Sequence, residues 1–156
     1  MKTVFRSAFI AAVAASTALV GTVGITSEAS ALPANFKVTK ANPSVGDLNN
    51  IVTFLVATPA SDEAKAANVE GGRDAVVVPR TVYNLGLFRA PRGSANVTGP
   101  IKRKGNRATV DMHARSAGRP DINMPIDFVY QGNWKLAANS MCKGVKTVGL
   151  PIYCNA

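Results

Sequence analysis

Apolar residues recur at helical spacing just after residue 43. The four residues that share one predicted helix face, at positions i, i+3, i+4 and i+7, are Leu48, Ile51, Val52 and Leu55. Ser44 and Asp47 have the spacing of an N-terminal capping box, and Pro59 prevents a helix from continuing. The pattern therefore predicts an amphipathic helix that begins after Ser44 and ends before Pro59.

Two shorter helices are predicted farther along the chain. Ser61 has a side chain that can cap a helix, two acidic residues follow it, and Gly71-Gly72 can end that helix. A third helix is predicted from about Pro79 to about Phe88, with apolar residues on one side. Gly86 lies inside this third segment and lowers its helix propensity.

The period of the apolar pattern changes from about 3.6 to 2 after Ser94. Apolar and polar side chains alternate in residues 110–115 and again in residues 122–130. This alternation predicts an antiparallel sheet with one apolar face. Pro125 falls on the polar face, where it requires a sheet edge or a bulge because it has no N–H to donate. Helices followed by such a sheet indicate an α+β fold in which the helices cover the sheet.

The turn between the last two predicted strands can be chosen by its effect on strand register. A two-residue loop would pair Tyr130 with Lys135, whereas a three-residue loop, residues 131–133, pairs Tyr130 with Trp134. The longer loop keeps the large apolar side chains on one face and is therefore predicted. Such hairpins need one residue in the left-handed conformation, and we expect Asn133 to adopt it.

The first 31 residues have the composition of a signal peptide. Lys2 and Arg6 precede an apolar stretch from Ala8 to about Ile25, and residues 29–31 form an A-x-A cleavage site. A retained membrane anchor is the alternative, but small and hydroxylated residues dilute the apolar stretch. We therefore expect a secreted protein, extracellular or in the cell envelope, without a transmembrane segment after cleavage. Residues 32–43 would form an arm and residues 44–156 one domain.

The sequence contains two cysteines, Cys142 and Cys154, and both lie near the C-terminus. In an exported chain a disulfide between them is expected, and it would close a Gly- and Pro-containing tail that we predict to be irregular. A redox-active pair is disfavoured because the C-x-x-C spacing is missing. One histidine and two thiols cannot complete a tetrahedral metal site, so we expect no metal and no cofactor.

Positive charge is concentrated in the middle of the chain, which has a formal net charge of +9. A predicted hairpin tip carries four of the cations, Lys102, Arg103, Lys104 and Arg107. Such a tip ordinarily serves solubility and prevents edge pairing. Its functional alternative is attraction to anionic envelope polymers, lipid head groups or host glycans. We expect no nucleic-acid partner, because neither the compartment nor interleaved aromatic residues support one.

Five short segments carry a resemblance to a known family: residues 48–52, 69–72, 97–98, 108–112 and 128–136. Their order resembles the secreted low-molecular-weight antigen family of mycobacteria and related actinobacteria. The resemblance implies a cone-shaped fold similar to nuclear transport factor two and to cystatins, in an exported antigen without catalytic residues. Family members continue from the last hairpin into a helix, and the predicted irregular tail departs from that pattern.

Enzymatic chemistry finds little support in the sequence. Alternation places Asp111, His113 and Arg115 on the outer face of their strand, where solvated side chains are the rule. His113 is the only histidine, and no G-x-S-x-G motif accompanies it. We therefore predict a non-enzymatic protein. An isomerase or hydrolase is a distant third possibility.

A binding role is the remaining expectation. Five residues could line a pocket for a small apolar ligand, with plain core packing as the alternative: Tyr83, Met124, Phe128, Tyr130 and Trp134. A small domain needs most of its large side chains for burial, which favours the core. The sequence thus predicts a binding or antigenic domain, monomeric or homodimeric, with the basic hairpin tip as the alternative binding surface.

Overall fold

A computed structural model describes residues 31–154. The predicted signal peptide lies outside the described residues, apart from its last residue, Ala31. The elements, in chain order, are α1 (Val45–Val56), α2 (Asp62–Ala66), a 3-10 turn (Gly72–Asp74), α3 (Val77–Leu85), β1 (Gly93–Lys104), β2 (Arg107–Ser116), β3 (Ile122–Tyr130), β4 (Trp134–Leu136) and α4 (Ala138–Thr147).

The four strands form one antiparallel sheet in the order β1-β2-β3-β4. Helix α1 packs against β1 and β4, and α4 packs against β3. The core lies between these helices and one face of the sheet, which contributes Val110, Ile126 and Phe128. The predicted α+β fold is therefore confirmed. The cone shape implied by the family resemblance stays a prediction.

The helix starts follow the local signals in the sequence. The Asp47 N–H donates to Ser44 Oγ at 3.1 Å, and the Ser44 N–H donates to Asp47 Oδ2 at 2.6 Å, so the capping box is present. Ser61 Oγ accepts the N–H of Ala64 at 3.2 Å and caps α2 as predicted. Helix α2 is short and ends at Ala66, before the Gly71-Gly72 pair.

Helix α3 is displaced from its predicted bounds by about three residues. It begins at Val77 and ends at Leu85, because Gly86 takes a left-handed conformation with φ 64°. A glycine adopts this conformation without steric cost, and it commonly ends a helix. Gly86 is therefore the stop signal of α3, and the prediction that the helix extends to Phe88 is wrong.

Alternation along the strands separates the two sheet faces as predicted. In β2, Val110 and Ala114 are buried, whereas Asp111, His113 and Arg115 are exposed on the outer face. Pro125 pairs with Asp111 of β2, and β4 extends only over residues 128–130 of β3. Pro125 therefore lies where one side of β3 has no strand neighbour, which is the edge position that proline tolerates.

The β3–β4 hairpin has the predicted register but a different left-handed residue. Tyr130 pairs with Trp134, which confirms the three-residue loop. Gly132 has φ 83°, and no non-glycine residue in the described range has a positive φ. The prediction for Asn133 is wrong because the adjacent glycine has no Cβ and takes the position more easily. Asn133 is instead buried, and its amide donates to the backbone oxygens of Ala67 and Trp134.

The C-terminal segment is also more regular than predicted. Residues 138–147 form helix α4, so the chain does continue from the hairpin into a helix. Met141, Val145 and Val148 recur at helical spacing and are buried. The prediction of an irregular tail is wrong for this part because the apolar spacing outweighs the propensity cost of Gly144. Residues 150–154 lack regular structure.

Candidate functional site

The N-terminal arm closes one end of the core. The Trp134 side chain is fully buried, and its indole N–H donates to the Lys40 carbonyl at 3.0 Å. The Tyr130 hydroxyl donates to the Thr39 carbonyl at 2.9 Å, and the Trp134 backbone N–H donates to Val38 at 2.8 Å. The polar atoms of these two aromatic side chains thus have partners within the chain, and they need no ligand.

The five residues considered for a pocket do not converge on one cavity. Tyr130 and Trp134 are neighbours, with ring centroids 5.4 Å apart, and Phe128 is fully buried in the core. Met124 is partly buried against that core. Tyr83 lies on α3, and its ring contacts the charged groups of Lys65 and Arg89 instead. Core packing therefore accounts for Phe128 and Trp134.

An apolar cavity of about 60 Å³ lies elsewhere, between α1, α3, α4 and the inner face of the sheet. Its lining includes Leu55, Phe88, Ile122, Met141, Val145 and Leu150. Gly144 of α4 also lines it, and a side chain at that position would point toward Ile122. Because these residues come from distant parts of the chain, periodicity could indicate that they are buried but could not place a cavity among them.

The lining of this cavity is almost entirely apolar. Ser140 supplies a hydroxyl, but that hydroxyl already accepts the Asp127 backbone N–H at 2.8 Å. A water-sized group needs about 10–15 Å³ of such volume, so the cavity accommodates about four or five groups of that size. Water would find few hydrogen-bonding partners there. The cavity is suited to a slender hydrocarbon segment, and a ring system would need more room.

Lys65 of α2 is buried, and its ammonium lies at the C-terminal end of α1. Lys65 is 1% exposed, and its ammonium donates to the carbonyls of Phe54, Leu55 and Thr58 at 3.2, 2.6 and 3.0 Å. Burial lowers the pKa of Lys65 to about 8, and the nearby Asp62 opposes part of this shift. The amine satisfies carbonyls that the helix end leaves unpaired, so its role is structural. No local pattern in the sequence indicates that Lys65 is buried.

The structure divides the predicted basic hairpin tip between the two sheet faces. Arg103 pairs with the buried Ala108, and its guanidinium lies 5.4 Å from the Trp134 ring centroid, so it covers the closed end of the core. All four cations are exposed, but Lys102, Lys104 and Arg107 project from the opposite face of the sheet. The turn itself falls at residues 105–106, as predicted. The four cations of the predicted hairpin tip therefore lie in two different environments, one on each face of the sheet.

Cys142 and Cys154 lie at disulfide-bonding distance, with Cα atoms 5.4 Å apart. Cys142 is on α4, so the bond would tie the end of the chain back to that helix. The Arg119 guanidinium also holds the segment between them by donating to the Val148 carbonyl at 3.0 Å. Leu150, which lines the cavity, lies within this tethered segment.

The polar residues considered for catalysis lie away from the cavity. Asp111, His113 and Arg115 are exposed on the outer face of the sheet, and the cavity lies against the inner face. His113 Nδ1 is 2.7 Å from Asn123 Oδ1, and Arg115 is 3.6 Å from Asp121. These contacts are those of a solvated sheet surface.

Comparison with known proteins identifies a family for most of the chain. Residues 41–152 match the family model described as low molecular weight antigen MTB12, C-terminal domain. A search of curated proteins found no match. Among residues 31–154, no helix has both the length and the apolar character needed to cross a membrane.

Proposed function

The chain belongs to the low molecular weight antigen MTB12 C-terminal domain family, and we propose that it is an exported, non-enzymatic carrier of a slender apolar ligand. The family establishes the chain as an antigen-family protein. Family membership and the cysteine pair are compatible with secretion. The observation that carries the ligand proposal is the aliphatic cavity of about 60 Å³ beside α4.

The proposed ligand class follows from the size and polarity of the cavity. An apolar lining with one hydroxyl that already has a partner offers no directional recognition of a polar group. The end of an acyl chain meets both the volume and the polarity. Burying each methylene is worth about 0.8 kcal/mol, so even a short inserted segment contributes to affinity.

The experiment that tests this proposal plugs the cavity at Gly144. A Cβ there would lie 3.9 Å from Ile122 Cδ1, an ordinary contact, so Gly144→Ala fits and serves as the matched control. Gly144→Leu fills the cavity and is expected to reduce binding of a fluorescent acyl-chain probe at least tenfold. Ala95→Leu, which plugs the cavity from β1, should do the same. Binding by both folded leucine variants at the affinity of Gly144→Ala would overturn the proposal.

A further inference from the structure

A row of cations crosses the outer face of the sheet near the β1–β2 turn. Lys104 pairs with Arg107, Arg107 pairs with Val129, and Val129 pairs with Lys135. Residues directly opposite each other in antiparallel strands project from the same face. The cationic row, defined as Lys104, Arg107 and Lys135, therefore spans four strands, or about 14 Å.

The cationic row retains most of its charge. Glu70 lies 3.7 Å from Arg107, but a Glu70 oxygen also accepts the Ala138 backbone N–H. Among the residues that the structure describes, Lys104 and Lys135 form no ion pair. The side chains of Lys104 and Arg107 are exposed, and Lys135 is half-buried. An anion at this surface would meet at least two cations without an existing partner.

The neighbouring row of the same face adds one more cation. Lys102 is exposed and pairs with Thr109, which in turn pairs with Asp127. The Asp127 carboxylate accepts the Thr109 hydroxyl at 2.6 Å and is partly buried. The two rows together hold four cations, while Asp127 and Glu70 are their acidic neighbours.

We infer that the cationic row binds an acidic polysaccharide. Charges arranged along a line complement a linear polyanion and attract it without requiring a pocket. A bilayer is a poorer partner because the face presents no apolar side chain for insertion. The large apolar side chains that are exposed in the described range, Leu85 and Tyr153, lie on α3 and on the C-terminal tail.

Arg103 can distinguish binding by the cationic row from binding that depends only on the number of basic residues near the turn. Its guanidinium lies over the Trp134 ring and donates to Asn42, on the side of the sheet opposite the cationic row. Arg103→Ala should therefore lower stability while leaving polysaccharide binding nearly unchanged. Lys135, which is distant from the basic run in sequence, should contribute to binding instead.

The test measures the affinity of the folded protein for heparin at about physiological ionic strength, with neutral dextran as the blank. The variant Lys104→Ala/Arg107→Ala/Lys135→Ala removes the row. The control Arg73→Ala/Lys143→Ala/Lys146→Ala removes equal charge from exposed positions on other elements. Each exposed charge contact contributes modestly to binding, so the loss of all three should weaken binding about tenfold.

The comparison between the two triple variants shows whether the cationic row or net charge alone accounts for heparin binding. A loss of less than about twofold in the control, with the tenfold loss in the row variant, supports the inference. Equal losses in both would overturn it, because net charge alone would then explain the binding. Tight binding to anionic phospholipid vesicles, lost in the row variant and accompanied by no heparin binding, would also overturn it in favour of a membrane surface.

Discussion

The two ends of the core are closed by different kinds of interaction. At the arm end, Trp134 and Tyr130 bring polar atoms into the interior, and carbonyls of the arm accept their hydrogens. At the α4 end, aliphatic residues such as Met141 and Val145 line a cavity of about 60 Å³. Hydrogen bonds from Trp134 and Tyr130 thus fix the arm against the core at one end, whereas the cavity at the other end is lined almost entirely by apolar side chains.

The two ends also differ in how they contribute to the stability of the fold. An apolar cavity that nothing fills loses van der Waals contacts along its lining, and this loss costs free energy. A hydrocarbon ligand would recover that free energy together with its own burial. At the arm end, the carbonyls of the arm already accept the hydrogens of the Trp134 indole and the Tyr130 hydroxyl, so these two side chains need no ligand.

The largest expected effect comes from removing the centre of the arm end. Trp134→Ala should lower the free energy of unfolding by about 3–5 kcal/mol, since a fully buried indole and its hydrogen bond are both lost. Urea unfolding measures the change. Tyr130→Phe, which removes only the bond to Thr39, should cost about 1 kcal/mol. A Trp134→Ala cost no greater than that of Tyr130→Phe would contradict the description of this end.

The next effect concerns the tether at the α4 end. The cysteines are 12 residues apart, and replacing both with alanine should cost about 2–4 kcal/mol through the freer unfolded chain. Hydrogen exchange should increase in residues 149–154 and not at Trp134. Faster exchange throughout the arm end would show that the two ends do not behave separately.

A smaller effect of opposite sign is expected from Gly144→Ala. Alanine is favoured over glycine by about 1 kcal/mol inside a helix, and the added Cβ makes only an ordinary contact with Ile122. The variant should therefore raise the melting temperature. A lower melting temperature would mean that the α4 end has no spare volume at this position.

A pH dependence of stability is expected from Lys65. Its pKa of about 8 in the folded protein lies below the ordinary value of 10.5, so the unfolded chain binds more protons between these values. The free energy of unfolding should therefore rise as the pH increases from about 8 toward 10.5. Lys65→Met, measured by urea unfolding across this range, should lack that rise. An equal rise in the variant would assign it to other groups.

Local signals in the sequence predicted the parts of the fold that depend on residues close together in the sequence. The Ser44–Asp47 capping box and the Tyr130–Trp134 register follow from short spacings, and both are confirmed. Asn133 was misassigned because two adjacent residues competed for one conformation. Helix α4 was missed because Gly144 received more weight than the apolar spacing around it.

The site was less accessible to sequence reasoning than the fold. Periodicity indicates which residues are buried. The cavity, however, results from incomplete packing between α3, α4 and the sheet, which periodicity does not describe. The partners of the Trp134 and Tyr130 polar atoms lie more than 90 residues away in the chain. Such long-range contacts leave no local pattern, and the same holds for the alignment of Lys135 with Arg107 across β3.

The most direct test of the carrier proposal is native mass spectrometry of the protein secreted by its own host, purified without refolding. We expect a bound apolar species of defined mass that is lost on denaturation and is absent from Gly144→Leu but present in Gly144→Ala. A native spectrum of wild-type protein that contains only the unliganded chain would contradict it.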